Sequence, residues 1–114
     1  MSMLQVTIEP LAGTLTAQGH AGTGRDGIDV CVACSMVLTE LALFLRQEAD
    51  AGRMDAPDIR LEKGDGSIRA DGENPSVRLA LRMSETAYRA LSAQYPECVT
   101  LTVKKGLTAG AALC

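Results

Sequence analysis

Apolar and polar residues alternate along 3 to 9 (MLQVTIE), with β-branched side chains among them, and this predicts a first strand. Pro10 to Gly13 interrupts it, and 14 to 20 (TLTAQGH) reads as a second strand closing a hairpin. From Asp29 to Ala49 the spacing changes. Cys34, Val37, Leu38, Leu41, Phe44 and Leu45 fall on one helical stripe, with Asp29 as the expected N-cap and Gly52 as a stop. Two short strands, 59 to 63 and 67 to 71, flank Gly64-Asp65-Gly66 as a hairpin. Asn74-Pro75 then starts a helix running to about Tyr95, because proline at the first helical position gives up only an amide that lacks a partner there anyway. Val77, Leu79, Leu81 and Met83 also alternate, so a strand over 76 to 83 is the competing pattern. Pro96 ends the helix, and 98 to 104 (CVTLTVK) alternates as a last strand.

The order β-β-α-β-β-α-β predicts an α+β fold of two layers, with two helices packed on one face of a mixed sheet. A chain of 114 residues has room for one such domain, residues 1–114, and 105–114 (GLTAGAALC after Lys105) reads as a loosely held tail. Phe44, Tyr88 and Tyr95 are the only aromatics, so the core must come from Leu, Val, Ile, Ala and Met.

Charge narrows the function. A formal net charge of −3 and the absence of a basic run argue against nucleic acid as a partner, since binding phosphates needs a positive surface. The N-terminal ten residues lack the charged and apolar regions of a signal peptide. The apolar stretch from Met36 to Leu45 contains Thr39 and Glu40 and is too short to cross a bilayer, so no membrane partner is expected. A cytoplasmic location follows as the expectation, with Cys31, Cys34, Cys98 and Cys114 reduced.

Reactive side chains gather in one place. His20, the only histidine, ends the second predicted strand, and Cys31 lies eleven positions on, in the expected first turn of the first helix. A thiol there meets free backbone amides and the positive end of the helix dipole, which favour thiolate. An imidazole within reach takes the proton, giving the pair used for acyl transfer, and the same amides can hold an oxyanion. Between the two, Gly19, Gly22, Gly24 and Gly27 make a glycine-dense loop that can open over a substrate. Blander accounts carry weight: a lone histidine at a strand end is usually a surface residue, and a cysteine on an apolar helix is usually a small buried hydrophobe. Two further chemistries use the same residues. Cys31-Val32-Ala33-Cys34 has the C-x-x-C spacing of a dithiol redox site, and His20, Cys31, Cys34 and Cys98 could form a metal site, although no second close ligand pair is present.

The segment GHAGTGRDGIDVCVACS, residues 19 to 35, resembles the signature of the ribosomal-processing cysteine proteases, the Prp family. His20 in Gly19-His20-Ala21 matches the family's catalytic histidine, and Cys31, with Ala33 and Ser35 following, matches its catalytic cysteine. The family carries an aspartate three residues before the cysteine, where this chain has Ile28; Asp29 stands two before, and the interval from histidine is one residue shorter. Cys34 is the rival nucleophile under a shifted register. The resemblance implies a cysteine endopeptidase, without cofactor or metal, that removes the N-terminal extension of a large-subunit ribosomal protein. It further implies a homodimer, supporting roles for Asp29 and Ser35, and a gating loop containing Gly22, Gly24 and Gly27. A homologue that binds such a partner without cleaving it is the alternative of a different class.

Overall fold

Five strands form one sheet in the order β3-β4-β2-β1-β5. The elements, in chain order, are β1 (Leu4–Glu9), β2 (Thr14–Gln18), α1 (Arg25–Asp50), β3 (Asp58–Glu62), β4 (Asp65–Arg69), α2 (Pro75–Gln94) and β5 (Val99–Val103). This is a computed structural model, and it describes residues 3–22 and 24–104. The expected tail at 105–114 lies outside the described residues. Element order and the mixed sheet agree with the α+β expectation: only the β1–β5 pairing is parallel, and the other three are antiparallel.

Alternation decides which side of the sheet is core. Val6 pairs with Ala17 and Ile8 with Leu15, and Leu15 in turn pairs with Ile68 of β4. All five are buried, because a strand sends every second side chain to the same face. α1 adds Val30, Cys34, Leu41, Ala42 and Leu45 to this core, and α2 adds Val77, Leu81, Ser84 and Tyr88. Tyr88 is fully buried and its hydroxyl donates to the Cys34 carbonyl at 3.0 Å, joining the two helices.

The segment from Pro75 is a helix, not a strand over 76 to 83. Its cap settles the competition locally: the Asn74 side chain accepts from the Ser76 amide at 2.8 Å and from the Val77 amide at 3.4 Å. The exposed Leu79 and Met83 that suggested alternation sit on the outer face of α2.

The first helix departs from expectation at its start. It begins at Arg25, with Gly24 as N-cap and no side-chain cap, so Asp29 lies inside the helix and caps nothing. Gly27 is therefore a helical residue and not part of the loop. It is buried, and a Cβ there would come within 2.7 Å of the Gly22 backbone carbon and oxygen, so its missing side chain permits close packing. At 26 residues α1 has the length and apolar composition of a membrane-crossing helix, which the shorter stretch considered in the sequence did not. Its inner face nevertheless belongs to the core cluster shared with the sheet and α2. Two smaller differences concern turns. β2 stops at Gln18 because Gly19 turns at φ +99°, and the β3–β4 turn is Lys63-Gly64, with Asp65 and Gly66 already in β4.

Candidate active site

One end of the sheet opens into a cleft of about 260 Å³. Four pieces of chain build it: Leu4 of β1, the end of β2 with Gly19 and His20, the inner side of α1 with Cys31, Cys34, Ser35 and Leu38, and the β3–β4 turn. The turn is held against β2 by the Gly19 amide, which donates to the Gly64 carbonyl at 3.0 Å. Both positions need glycine. Gly19 has φ +99° and a Cβ would sit 2.4 Å from the Met3 carbonyl oxygen; Gly64 has φ +77° and a Cβ would come within 3.0 Å of His20 Cε1 and Nε2. The exposed His20 ring thus rests against the bare backbone of the turn.

His20 and Cys31 line this cleft together, although no hydrogen bond joins the ring to the sulfur among the described residues. Cys31 is half-buried, and the amide of Ala21, the residue after His20, donates to its Sγ at 3.4 Å. That contact replaces the one expected from the sequence. Because α1 starts at Arg25, Cys31 lies past its first turn, where the amides are taken by the helix and the dipole effect has largely fallen away. The donor to sulfur comes from the loop that carries His20.

Cys34 differs sharply from Cys31. It is buried, and its thiol is pushed up from 9.0 to about 12, chiefly by burial and further by charge on Cys31 and Cys98. A thiol that keeps its proton so firmly is a poor nucleophile at neutral pH. Tyr88 is likewise pushed above its ordinary value, first by burial and then by Cys34. Among the described residues no group of His, Cys, Asp and Glu is placed to hold a metal ion, so the metal alternative lacks an assembled ligand set.

The remaining sequence candidates separate. Ser35 lines the cleft, one helical turn beyond Cys31, and is exposed. Asp29 is exposed on α1 and contributes nothing to the cleft wall. Gly24 has open space around it. What sequence reasoning missed is the hairpin wall, Glu62 to Gly66. Gly66 lets Leu38 of α1 approach the sheet, since a Cβ would lie 2.5 Å from Leu38 Cδ2. Asp65 accepts from Arg60 at 2.9 Å through one oxygen, while its other oxygen is buried without a partner among the described residues. Nothing local in the sequence marks these residues; the β2–β4 pairing brings them to His20.

No protein-family model matches the sequence, and no curated protein matches it. Solved structures do. The essential ribosomal processing protease Prp of S. aureus, crystallised with a substrate peptide and with a covalently linked product peptide, superposes with a TM-score of 0.69 at 24% identity, covering 91% of this chain and 100% of that one. This chain has the Prp fold. SMU.848 of Streptococcus mutans shares it with a TM-score of 0.73 at 24% identity, over 91% of this chain and 96% of that one. A hypothetical protein of S. aureus gives a TM-score of 0.59 at 19% identity over the same share of this chain.

Proposed function

We propose that this chain is a cysteine endopeptidase of the Prp type that removes the N-terminal extension of a large-subunit ribosomal protein. The observation that carries the reading is the convergence of His20 and Cys31 on one cleft, with the Ala21 amide on the sulfur. The Prp fold supports it, because the S. aureus protein of that fold is a ribosomal processing protease seen with a covalently linked product peptide.

In this mechanism His20 takes the proton of the Cys31 thiol, and the thiolate attacks the scissile carbonyl carbon. The tetrahedral intermediate collapses as His20 returns the proton to the leaving amine, leaving an acyl-thioester on Cys31. Water, deprotonated by His20, releases the acid product and restores the thiol. The Ala21 amide steadies sulfur in its charged form, a charge-assisted hydrogen bond being stronger than a neutral one. Ser35 stands at the cleft mouth, free to bond the peptide backbone. Asp29 has no place in this scheme. Substrate entry falls to the backbone just after His20, at Ala21 and Gly22, where Gly22 has φ +114°.

The high thiol pKa of Cys34 weighs against a dithiol oxidoreductase, whose second cysteine must attack readily. The homodimer implied by the resemblance finds support on the outer face of the helices, where Ile28, Val32, Met36 and Leu43 of α1 and Leu79 and Met83 of α2 are each more than half exposed. Processing of a ribosomal protein places the reaction in the cytoplasm. The deciding experiment incubates wild type and Cys31→Ala with peptides spanning the extension junction. Cleavage by wild type alone is the expected result; tight binding without cleavage by wild type would instead establish the inert partner-binding homologue.

A further inference from the structure

We propose that the free edge of β3 binds the substrate's main chain as an added strand, anchoring an extended segment of the peptide outside the cleft. This rests on the reading that the cleft cleaves a peptide, and it adds how that peptide is held. The direction of the backbone groups follows from the hydrogen bonds at both ends of β4. The Gly64 carbonyl accepts from Gly19 and the Ala70 amide donates to Gly13, so the even-numbered residues of this strand turn to β2. The odd-numbered ones, Asp65, Ser67 and Arg69, then bond their partners Glu62, Arg60 and Asp58 in β3. The N–H and C=O groups of Ile59 and Leu61 consequently face out of the sheet, and no strand pairs with them among the described residues.

An edge of this kind is a template for an incoming strand. Two observations make the substrate its occupant. First, β3 runs directly into the Lys63-Gly64 turn, and Glu62, Lys63 and Gly64 form the cleft wall beside His20. At roughly 3.3 Å per residue, a peptide paired with Leu61 needs only about three residues to reach that wall. Second, the edge is bare on the helix side. Leu61 is 46% exposed there, opposite Gly66, while Asp58, Arg60 and Glu62 all project from the other face. The incoming strand therefore meets an apolar face toward α1 and a charged one away from it. β5, the other edge, contributes no residue to the cleft and packs against α2.

The partner is thus an extended, proline-free segment of the substrate a few residues from the scissile bond. Amide exchange in Cys31→Ala, free and saturated with a synthetic peptide spanning the extension junction, tests it. The Ile59 and Leu61 amides should slow by about tenfold or more on binding, while the Arg60 amide, already paired with β4, stays unchanged. Leu61→Pro removes one outward donor without touching the ladder, whereas Leu61→Thr keeps it. The proline variant should raise KM by about tenfold with kcat within about twofold, and the threonine variant should change KM by less than about threefold. A bound peptide that leaves both amides unprotected overturns the edge, as do equal KM values for the two variants. If wild type neither binds nor cleaves the peptide, the protease reading falls and this inference with it.

Discussion

The two halves of the sheet are treated differently by the helices. On the β1–β5 side, Leu4, Val6, Ile8 and Val99 are all buried, and α2 packs across both strands. On the β3–β4 side, β3 has no fully buried residue, and the hairpin from Glu62 to Gly66 forms the wall of a cleft. One half has used its apolar face for stability. The other leaves backbone and side chains available, and it is there that His20 and Cys31 line one cleft. Binding surfaces belong where a fold stops covering itself, because a fully packed face has nothing left to offer a ligand.

The sharpest way to break this contrast is to remove the chemistry without touching the packing. Cys31→Ala should lower peptide cleavage by about a thousandfold or more, with a melting temperature close to wild type. A normal rate in that variant would move the nucleophile elsewhere. The covered half should respond in the opposite sense. Tyr88→Ala empties a fully buried site between the helices and should destabilise by about 3–5 kcal/mol in urea titration. Tyr88→Phe loses only the bond to the Cys34 carbonyl, about 1 kcal/mol.

Glycine substitutions sharpen the boundary between the halves. Gly27→Ala forces the helix against the Gly22 backbone, on the segment that carries His20 and Ala21. Overpacking of about 1–3 kcal/mol is expected, with cleavage falling by at least about tenfold. Gly24→Ala meets open space and should leave both within about twofold. Equal effects at the two positions would show that the contact with Gly22 is irrelevant.

The most gradual effect is one of pH. The unfolded chain releases the Cys34 proton near 9.0, whereas the folded protein holds it to about 12. The unfolded state therefore carries fewer protons between those values, and stability falls as pH rises through that window, by up to about 1.4 kcal/mol per unit. Tyr88 adds to the loss at the alkaline end. Cys34→Ala should flatten the slope between pH 9 and 11, measured by denaturant midpoint. The same difference predicts that iodoacetamide at pH 7.5 alkylates Cys31 well before Cys34, and mass spectrometry of the digested protein reads the order directly.

Much of the fold was legible because its signals are local. Alternation marks β1, β2 and β5, and the 75–94 helix carries its own cap in Asn74 and its own stop near Pro96. The start of α1 was not legible. Gly24 and Gly27 look like loop residues, since glycine disfavours helix, and Asp29 looks like a cap. Packing of Gly27 on Gly22 outweighs that propensity and carries the helix back to Arg25. The same shift moved Cys31 out of the free amides of the first turn and put the Ala21 amide in their place.

For the site, the sequence by itself determined the two reactive residues to consider, His20 and Cys31, because chemistry resides in residue type and both types are rare here. It also determined the glycine-dense run after the second strand, whose need for a bare backbone at Gly19 only the packing on Met3 reveals. Tertiary structure alone decided the rest. It distinguished Cys31 from Cys34, since burial is a property of packing and three positions on a helix separate a half-exposed face from the core. It also set Asp29 on an exposed part of α1 apart from the cleft lining, and it brought in the 62–66 hairpin, because strand pairing joins β4 to β2 across almost fifty residues of chain, a distance at which no local pattern carries information.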